Sequence, residues 1–331
     1  MRKIGIIGAG SWGTALGIIL STKGAQVKMW DVDQDHLSEL ASDRENRRYL
    51  PGVAFNERLI PTSSMEETLD RAEVAVFSAP AQNFRSALCS ALKYLDKDAV
   101  IVNVAKGIEQ KTLKRMSEIA YEHIPESRYV VLSGPSHAEE VCRFMPTIVA
   151  AASTDMQAAE YVQDVFMTDW FRVYTNHDVI GVEFGGSLKN IIALGAGMSD
   201  GLGYGDNAKA ALMTRGVAEI ARLGVKLGAE EKTFAGLTGL GDLIVTCTSM
   251  HSRNRRCGIL IGQGTDPDAA MKEIGMVVEG ITTTEAVYEL AGKAGVEMPI
   301  VNNIYDIIRG KITALDAVMN LMRRDRKHES E

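Results

Sequence analysis

Lys3-Ile4-Gly5-Ile6-Ile7-Gly8-Ala9-Gly10-Ser11-Trp12-Gly13-Thr14 decides the fold. Lys3 to Ile7 is a short β-rich run, Thr14 to Lys23 is helical in character, and three glycines stand between them in a G-x-G-x-x-G turn. In that setting the first glycine permits the tight turn, the second lets the backbone approach a pyrophosphate, and the third lets helix pack on strand. The helix N-terminus adds free N–H donors and a positive dipole end for the anion. Gly8, Gly10 and Gly13 are therefore read as cofactor-binding, with a purely structural glycine turn as the bland alternative. The next strand, Gln26 to Trp30, runs into Asp31, 18 residues after Gly13, where an acidic side chain hydrogen-bonds the adenosine ribose hydroxyls and repels a 2′-phosphate. No Arg or Lys stands between residues 29 and 43 to neutralise such a phosphate, so NAD(H) is favoured and NADP(H) is left open.

Further strands follow at Val74 to Ser78, Ala99 to Val104, Tyr129 to Leu132, Thr147 to Ala151 and Phe171 to Tyr174, alternating with helical segments. This alternation reads as an α/β Rossmann-type domain with a mostly parallel sheet. From Val182 onward the pattern turns helical, through Glu183 to Ser199, Ala208 to Leu227, Asn254 to Leu260, Thr284 to Ala294 and Asn303 to Ile308. The expected organisation is a dinucleotide-binding domain over 1–181, an all-α substrate domain over 182–331, and a ligand cleft between them.

The 331 residues are 46% hydrophobic and 24% charged, which excludes a disordered or low-complexity chain. A net charge of −7 argues against nucleic acid or an anionic membrane surface as partner, so any bound anion must be held locally. Cys89, Cys142, Cys247 and Cys257 form no C-x-x-C pair, and the six histidines have no metal-ligand spacing, so reduced thiols, no metal and a cytoplasmic address are expected. The uncharged stretch Ile4 to Thr22 contains five glycines and no cleavage signature, and reads as strand, turn and helix rather than signal peptide or membrane insertion. Arg323, Arg324, Arg326 and Lys327 read as a solvated terminus.

Four segments offer groups for acid–base chemistry on a small alcohol. Lys106, in Ala105-Lys106-Gly107-Ile108-Glu109, follows a parallel strand at the end where such sheets bind ligands. Ser133-Gly134-Pro135-Ser136-His137-Ala138-Glu139 has capping-box spacing from Ser136 to Glu139, predicting a helix start aimed into the same crevice, with His137 read as structural. Lys189 lies inside a run uncharged to Ser199, with Gly185, Gly186 and Ala193 three and four positions away. Those small residues suit close approach of a ligand, or equally a close helix crossing. A desolvated lysine has its pKa lowered toward the range of a general acid or base. Lastly, Gly239-Leu240-Gly241-Asp242 precedes Thr246 and Ser252-Arg253-Asn254-Arg255-Arg256, where Ser252 as N-cap puts Arg253 and Asn254 in a first helical turn suited to an anion.

With Val277-Val278-Glu279-Gly280 added, these motifs make the chain resemble the soluble nicotinamide-dependent glycerol-3-phosphate dehydrogenases of bacteria, almost end to end. The resemblance implies that Lys189 is the general base and that Lys106, Gly134, Ser136, Asp242, Ser252, Arg253 and Asn254 hold a small phosphorylated substrate. It also implies that Ser11, Trp12, Lys106, Ala138, Arg253, Val277 and Glu279 touch the cofactor, with Asn190 and Thr246 lining the site. Such an enzyme supplies glycerol 3-phosphate for glycerophospholipid synthesis. Bacterial members commonly carry His or Arg after the second strand, whereas this chain reads Asp31-Val32-Asp33. A dehydrogenase of a 3-hydroxy acid and a non-catalytic NAD(H)-binding redox sensor are the alternatives, and a homodimer is left open.

Overall fold

The computed structural model describes residues 1–326 and 328, so Lys327 lies outside the described residues. The first half runs β1 (Lys3–Ile7), α1 (Ser11–Thr22), β2 (Gln26–Trp30), α2 (Gln34–Asp43), β3 (Glu45–Asn46), β4 (Leu50–Ala54), β5 (Leu59–Pro61), α3 (Met65–Leu69) and β6 (Val74–Phe77). It continues with α4 (Phe84–Ala91), β7 (Val100–Asn103), α5 (Met116–Tyr121), β8 (Tyr129–Ser133), α6 (Ala138–Val141), β9 (Thr147–Ala152), α7 (Met156–Phe166) and β10 (Phe171–Asn176). Eight strands form one sheet in the order β10-β9-β8-β7-β6-β1-β2-β5, and β3 pairs with β4 in a small hairpin. The chain moves from β1 to β2 on one side and later to β6 on the other. That reversal of strand order opens the crevice beyond the C-terminal ends of β1 and β6.

Strands bounded by Ile, Val and Phe side chains on both faces are what a sheet covered by helices requires, and β6 and β8 are buried along their whole length. β9 departs from the parallel expectation, running antiparallel to β8 with Val131 opposite Ala152 and Ser133 opposite Ala150. Only α6, four residues long, lies in the connection, which is too short for a crossover back to a parallel start. β5 and the β3–β4 hairpin, short and poor in apolar alternation, were not among the expected strands.

Beyond β10 the described chain is helical: α8 (Val179–Gly201), α9 (Asp206–Lys226), α10 (Glu231–Phe234), α11 (Asp242–Thr248), α12 (Arg253–Gly262), α13 (Pro267–Ile274), α14 (Glu279–Ala294), α15 (Pro299–Ile308) and α16 (Ala314–Met322). α8 is long and apolar enough to cross a membrane by composition, yet its apolar window is 94% buried inside the protein, as a core helix is. Asp178 caps it by accepting from the Gly181 N–H at 2.8 Å. Val179 and Val182 pack into the sheet's core, while Phe184, Leu188 and Ile191 belong to the helical core. Arg324 near the C-terminus pairs with Glu297 at 2.6 Å.

Candidate active site

The glycine turn is held from several sides. The Ala9 N–H donates to Asp31 Oδ2 at 2.6 Å, while the Ala9 carbonyl accepts from Asn46 Nδ2 at 2.9 Å. Gly8 has φ +110°, and a Cβ there would stand 2.8 Å from the Ser78 backbone. A Cβ on Gly13 would meet the Gly8 carbonyl oxygen at 2.0 Å, so this glycine serves helix-on-strand packing. Gly10 is different: a Cβ would touch nothing within 4 Å, and it sits as the N-cap of α1 with no side-chain cap. Open space beside uncapped N–H groups fits a pyrophosphate, and on this observation the turn suits a dinucleotide. Asp31 also accepts from the Asp33 N–H at 3.1 Å, so both its oxygens brace the loop while each keeps a further lone pair. The structure brings in a cation the 29–43 window lacked, because Arg48 reaches Asp33 at 2.8 Å.

A cavity of about 1110 Å³ starts at this turn and continues between the sheet and the helices, lined by Gly10, Trp12 and Asp31 at one end and by Lys106, Lys189 and Arg253 at the other. Ser11, Ser136, Ala138, Asn190, Thr246, Ser252, Asn254, Val277 and Glu279 also reach its wall. Gly134 and Asp242 join this group through hydrogen bonds to Lys106. Tyr49 and Lys272 line it too, and neither carried a local sequence signal.

Its electrostatic centre is one carboxylate between two lysines. Lys189 Nζ donates to Asp242 Oδ1 at 2.5 Å and to Thr246 Oγ1 at 2.6 Å. Lys106 Nζ donates to the other oxygen, Oδ2, at 2.7 Å and to the Gly134 carbonyl at 3.3 Å. Thr246 passes its own proton to the Asp242 carbonyl at 2.6 Å, so its hydroxyl is left to accept from the lysine. Burial lowers the Lys189 pKa to about 8, with Lys106 pushing the same way and Asp242 opposing. Burial works against charge on Asp242, but Lys106 and Lys189 together hold it below the ordinary carboxylate range. The site thus keeps an ionised acid beside an amine that titrates near neutrality.

The elements that set this geometry meet through glycine. Gly185 packs against the Thr238 carbonyl, where a Cβ would come to 2.6 Å, and Gly186 packs against Ser133 in β8 at the same distance. Gly185 and Gly186 therefore serve close packing, not a ligand-facing gap. Asn254 Nδ2 donates to Asn190 Oδ1 at 3.0 Å, and Asn254 Oδ1 accepts from the Gly280 N–H at 2.8 Å, tying α8, α12 and the start of α14 together. Ser252 caps α12 as expected, accepting from the Arg255 N–H at 3.2 Å. Arg255 pairs with Asp200 at 2.8 Å, whereas Arg253 lines the cavity, so the arginine run is not one patch. Burial lowers the Arg253 pKa and raises that of Glu279 to about 7. The capping box expected at Ser136 does not form: His137 is the N-cap of α6, and Ser136 Oγ donates to the Gly134 carbonyl at 3.0 Å. That bond spends the hydroxyl locally, in the turn Gly134 makes at φ +149°.

Residues 3–159 match the family described as NAD-dependent glycerol-3-phosphate dehydrogenase N-terminus, and residues 178–319 match its C-terminus. The chain belongs to this family. Among its glycerol-3-phosphate dehydrogenase relatives, "Glycerol-3-phosphate dehydrogenase [NAD(P)+]" of Pelotomaculum thermopropionicum is 54% identical over 99% of this chain and 95% of its own. The protein of the same name from Clostridium perfringens strain SM101 is 52% identical over 99% of each. Among solved structures, glycerol-3-phosphate dehydrogenase from Coxiella burnetii superposes with a TM-score of 0.94 at 37% identity, covering 98% of this chain and 99% of that one. D-mandelate dehydrogenase shares the fold alone, at a TM-score of 0.63 and 15% identity over 96% of this chain and 100% of that one.

Proposed function

We propose that this chain is an NAD(P)-dependent sn-glycerol-3-phosphate dehydrogenase, interconverting dihydroxyacetone phosphate and glycerol 3-phosphate. The observation that carries the reading is Lys189, only 6% exposed, bonded to Asp242 and Thr246 on the wall of the cavity that begins at the glycine turn. Gly8, Gly10, Ser11, Trp12, Gly13, Ala138, Val277 and Glu279 form the cofactor side, with Lys106 and Arg253 reaching both ligands. When bound, the nicotinamide exchanges hydride with C2 of the substrate. Protonated Lys189 donates to the oxygen on C2 in reduction, and neutral Lys189 accepts the hydroxyl proton in oxidation. Asp242 holds the ammonium in place, and Lys106 stabilises charge developing on that oxygen. Arg253, with Asn254 and the first N–H groups of α12, grips the phosphate and so fixes C2 for reaction, while Gly134, Ser136, Asn190 and Ser252 shape the remaining wall.

The division of labour follows the chain, with 1–181 for the dinucleotide and 182–331 for the substrate. Asp31, and Asp33 with its pairing to Arg48, support preference for NADH over NADPH. The product suits glycerophospholipid synthesis.

The test is the initial rate at 340 nm with dihydroxyacetone phosphate and NADH or NADPH at matched subsaturating concentrations. Lys189→Ala is expected to lower kcat by on the order of 10² to 10⁴. Faster NADPH oxidation would refute the cofactor preference alone, and no turnover with either would bring back the redox-sensor reading.

A further inference from the structure

The turn between β3 and β4 borders the end of the cavity where Asp31 stands. Asn46 ties it to the glycine turn, donating to the Ala9 carbonyl at 2.9 Å and to Thr14 Oγ1 at 2.8 Å, and accepts from the Tyr49 N–H at 3.0 Å. The Tyr49 ring meets that of His36, in α2, edge-on at 5.0 Å, and both line the cavity together with Asp31 and Asp33. Arg48, next to Tyr49, is exposed and reaches back to donate from Nη1 to Asp33 Oδ2 at 2.8 Å. The other oxygen of Asp33 accepts from the His36 N–H at 3.0 Å and so caps α2.

A dinucleotide lays its adenosine ribose against the acid that ends the second strand, so a 2′-phosphate arrives beside Asp31 and Asp33. The arginines just after α2 differ in what they offer it. Arg44 donates to the Asn56 carbonyl, and Arg47 pairs with Asp43 at 3.2 Å and with Glu45 at 3.8 Å. Arg48 spends Nη1 on Asp33 and, among the described residues, bonds through no other nitrogen, which leaves most of a five-donor fork for phosphate oxygens. An exposed ion pair holds weakly, so a dianion can take Arg48 from Asp33. The consequence falls on Asp33, whose carboxylate is then left unpaired beside both the phosphate and Asp31.

We propose that Arg48 is a 2′-phosphate ligand held in check by Asp33, which makes Asp33 the specificity-determining residue between NADH and NADPH. NADPH gains Arg48 only by stranding a carboxylate, whereas NADH leaves the pair intact. Asp31 works in the same direction but is no switch. Both its oxygens brace the glycine turn and the loop after β2, so its removal disturbs the site for either dinucleotide. The proposal rests on the dinucleotide reading above and adds to it the residues that tell the two cofactors apart.

The experiment measures Kd for NADH and for NADPH by calorimetric titration of the protein at one ionic strength, and reads their ratio. Asp33→Asn, whose side-chain oxygen still accepts at the cap of α2, should shift the ratio toward NADPH by roughly ten-fold. Adding Arg48→Met to that variant should remove the shift. Adding Arg47→Met instead, the same change of charge one residue away, should leave it in place. An unchanged ratio in Asp33→Asn would overturn the proposal, as would a shift that survives Arg48→Met. Equal losses from the two methionine variants would overturn it too, by reducing the effect to net charge. A wild-type protein that binds neither dinucleotide would remove the dinucleotide reading and the proposal with it. One that binds them without turning over dihydroxyacetone phosphate would remove the dehydrogenase reading alone, and the titrations would still decide the roles of Asp33 and Arg48.

Discussion

Lys189 has a readable chemistry because three groups surround its ammonium with different signs. With a pKa of about 8, reduction of dihydroxyacetone phosphate, which needs the protonated amine, should fall as pH rises through that value. Oxidation of glycerol 3-phosphate, which needs the neutral amine, should rise over the same interval. Asp242→Asn removes the anion that favours the ammonium while Lys106 still repels it. Both limbs should then move to lower pH by on the order of one unit. Profiles of kcat against pH in the two directions check this, and limbs that stay in place would assign the titration to another group. Much of this centre was legible in the sequence: a lysine in an uncharged run announces a desolvated amine. Its partnership with Asp242 comes from the family resemblance alone, which places both residues in one site, since 53 residues separate them and no periodicity connects two helices. Glu183 stood in plain view at the head of the same run without being singled out. It accepts from the Tyr129 hydroxyl at 2.7 Å, the Ser117 N–H at 2.8 Å and Arg115 at 2.9 Å, and so anchors α8 to the sheet.

At the scale of elements, α8 and α12 cross backbone to backbone. A Cβ on Gly197 would meet the Arg255 carbonyl oxygen at 2.1 Å, and one on Gly258 would meet that of Leu194 at 2.1 Å. Gly201 and Gly262 repeat the pattern one turn further on, where an added Cβ would stand 2.3 Å from the carbonyl oxygens of Ile259 and Met198 respectively. Gly258→Ala is therefore expected to destabilise the protein by about 1–3 kcal/mol through overpacking, read as a lower urea midpoint at unchanged slope. The same change separates Lys189 from Arg253, so KM for dihydroxyacetone phosphate should rise in the folded variant. Spacings of four glycines are visible in the sequence, but a glycine's purpose is not. Gly10 leaves room for a ligand and Gly186 for a strand, and only the neighbours tell them apart. Strand direction was hidden for a similar reason. The apolar run Thr147 to Ala152 looks alike in either orientation, and it is the short connection through α6 that turns it around.

For the whole molecule, α8 belongs to both cores, with Val182 in one and Phe184 in the other. The Lys106–Asp242 pair adds a second tie across the cleft. Heating should accordingly unfold the sheet and the helices in a single calorimetric transition, which saturating NADH raises as one peak. Two resolved peaks, with only one shifted, would count against this coupling. The reversed direction of β9 and β10 has a further effect. It lets the chain leave the sheet at the end away from the crevice, so that α8 climbs past β8 and carries Lys189 upward by about 15 Å at 1.5 Å per residue. The position of the ammonium is thus a matter of helical phase measured from the Glu183 anchor. One residue inserted between Glu183 and Lys189 would swing the lysine by about 100° around the helix and away from Asp242, with every side chain of the site still present. The number of residues between anchor and amine is as much a part of the chemistry as either residue.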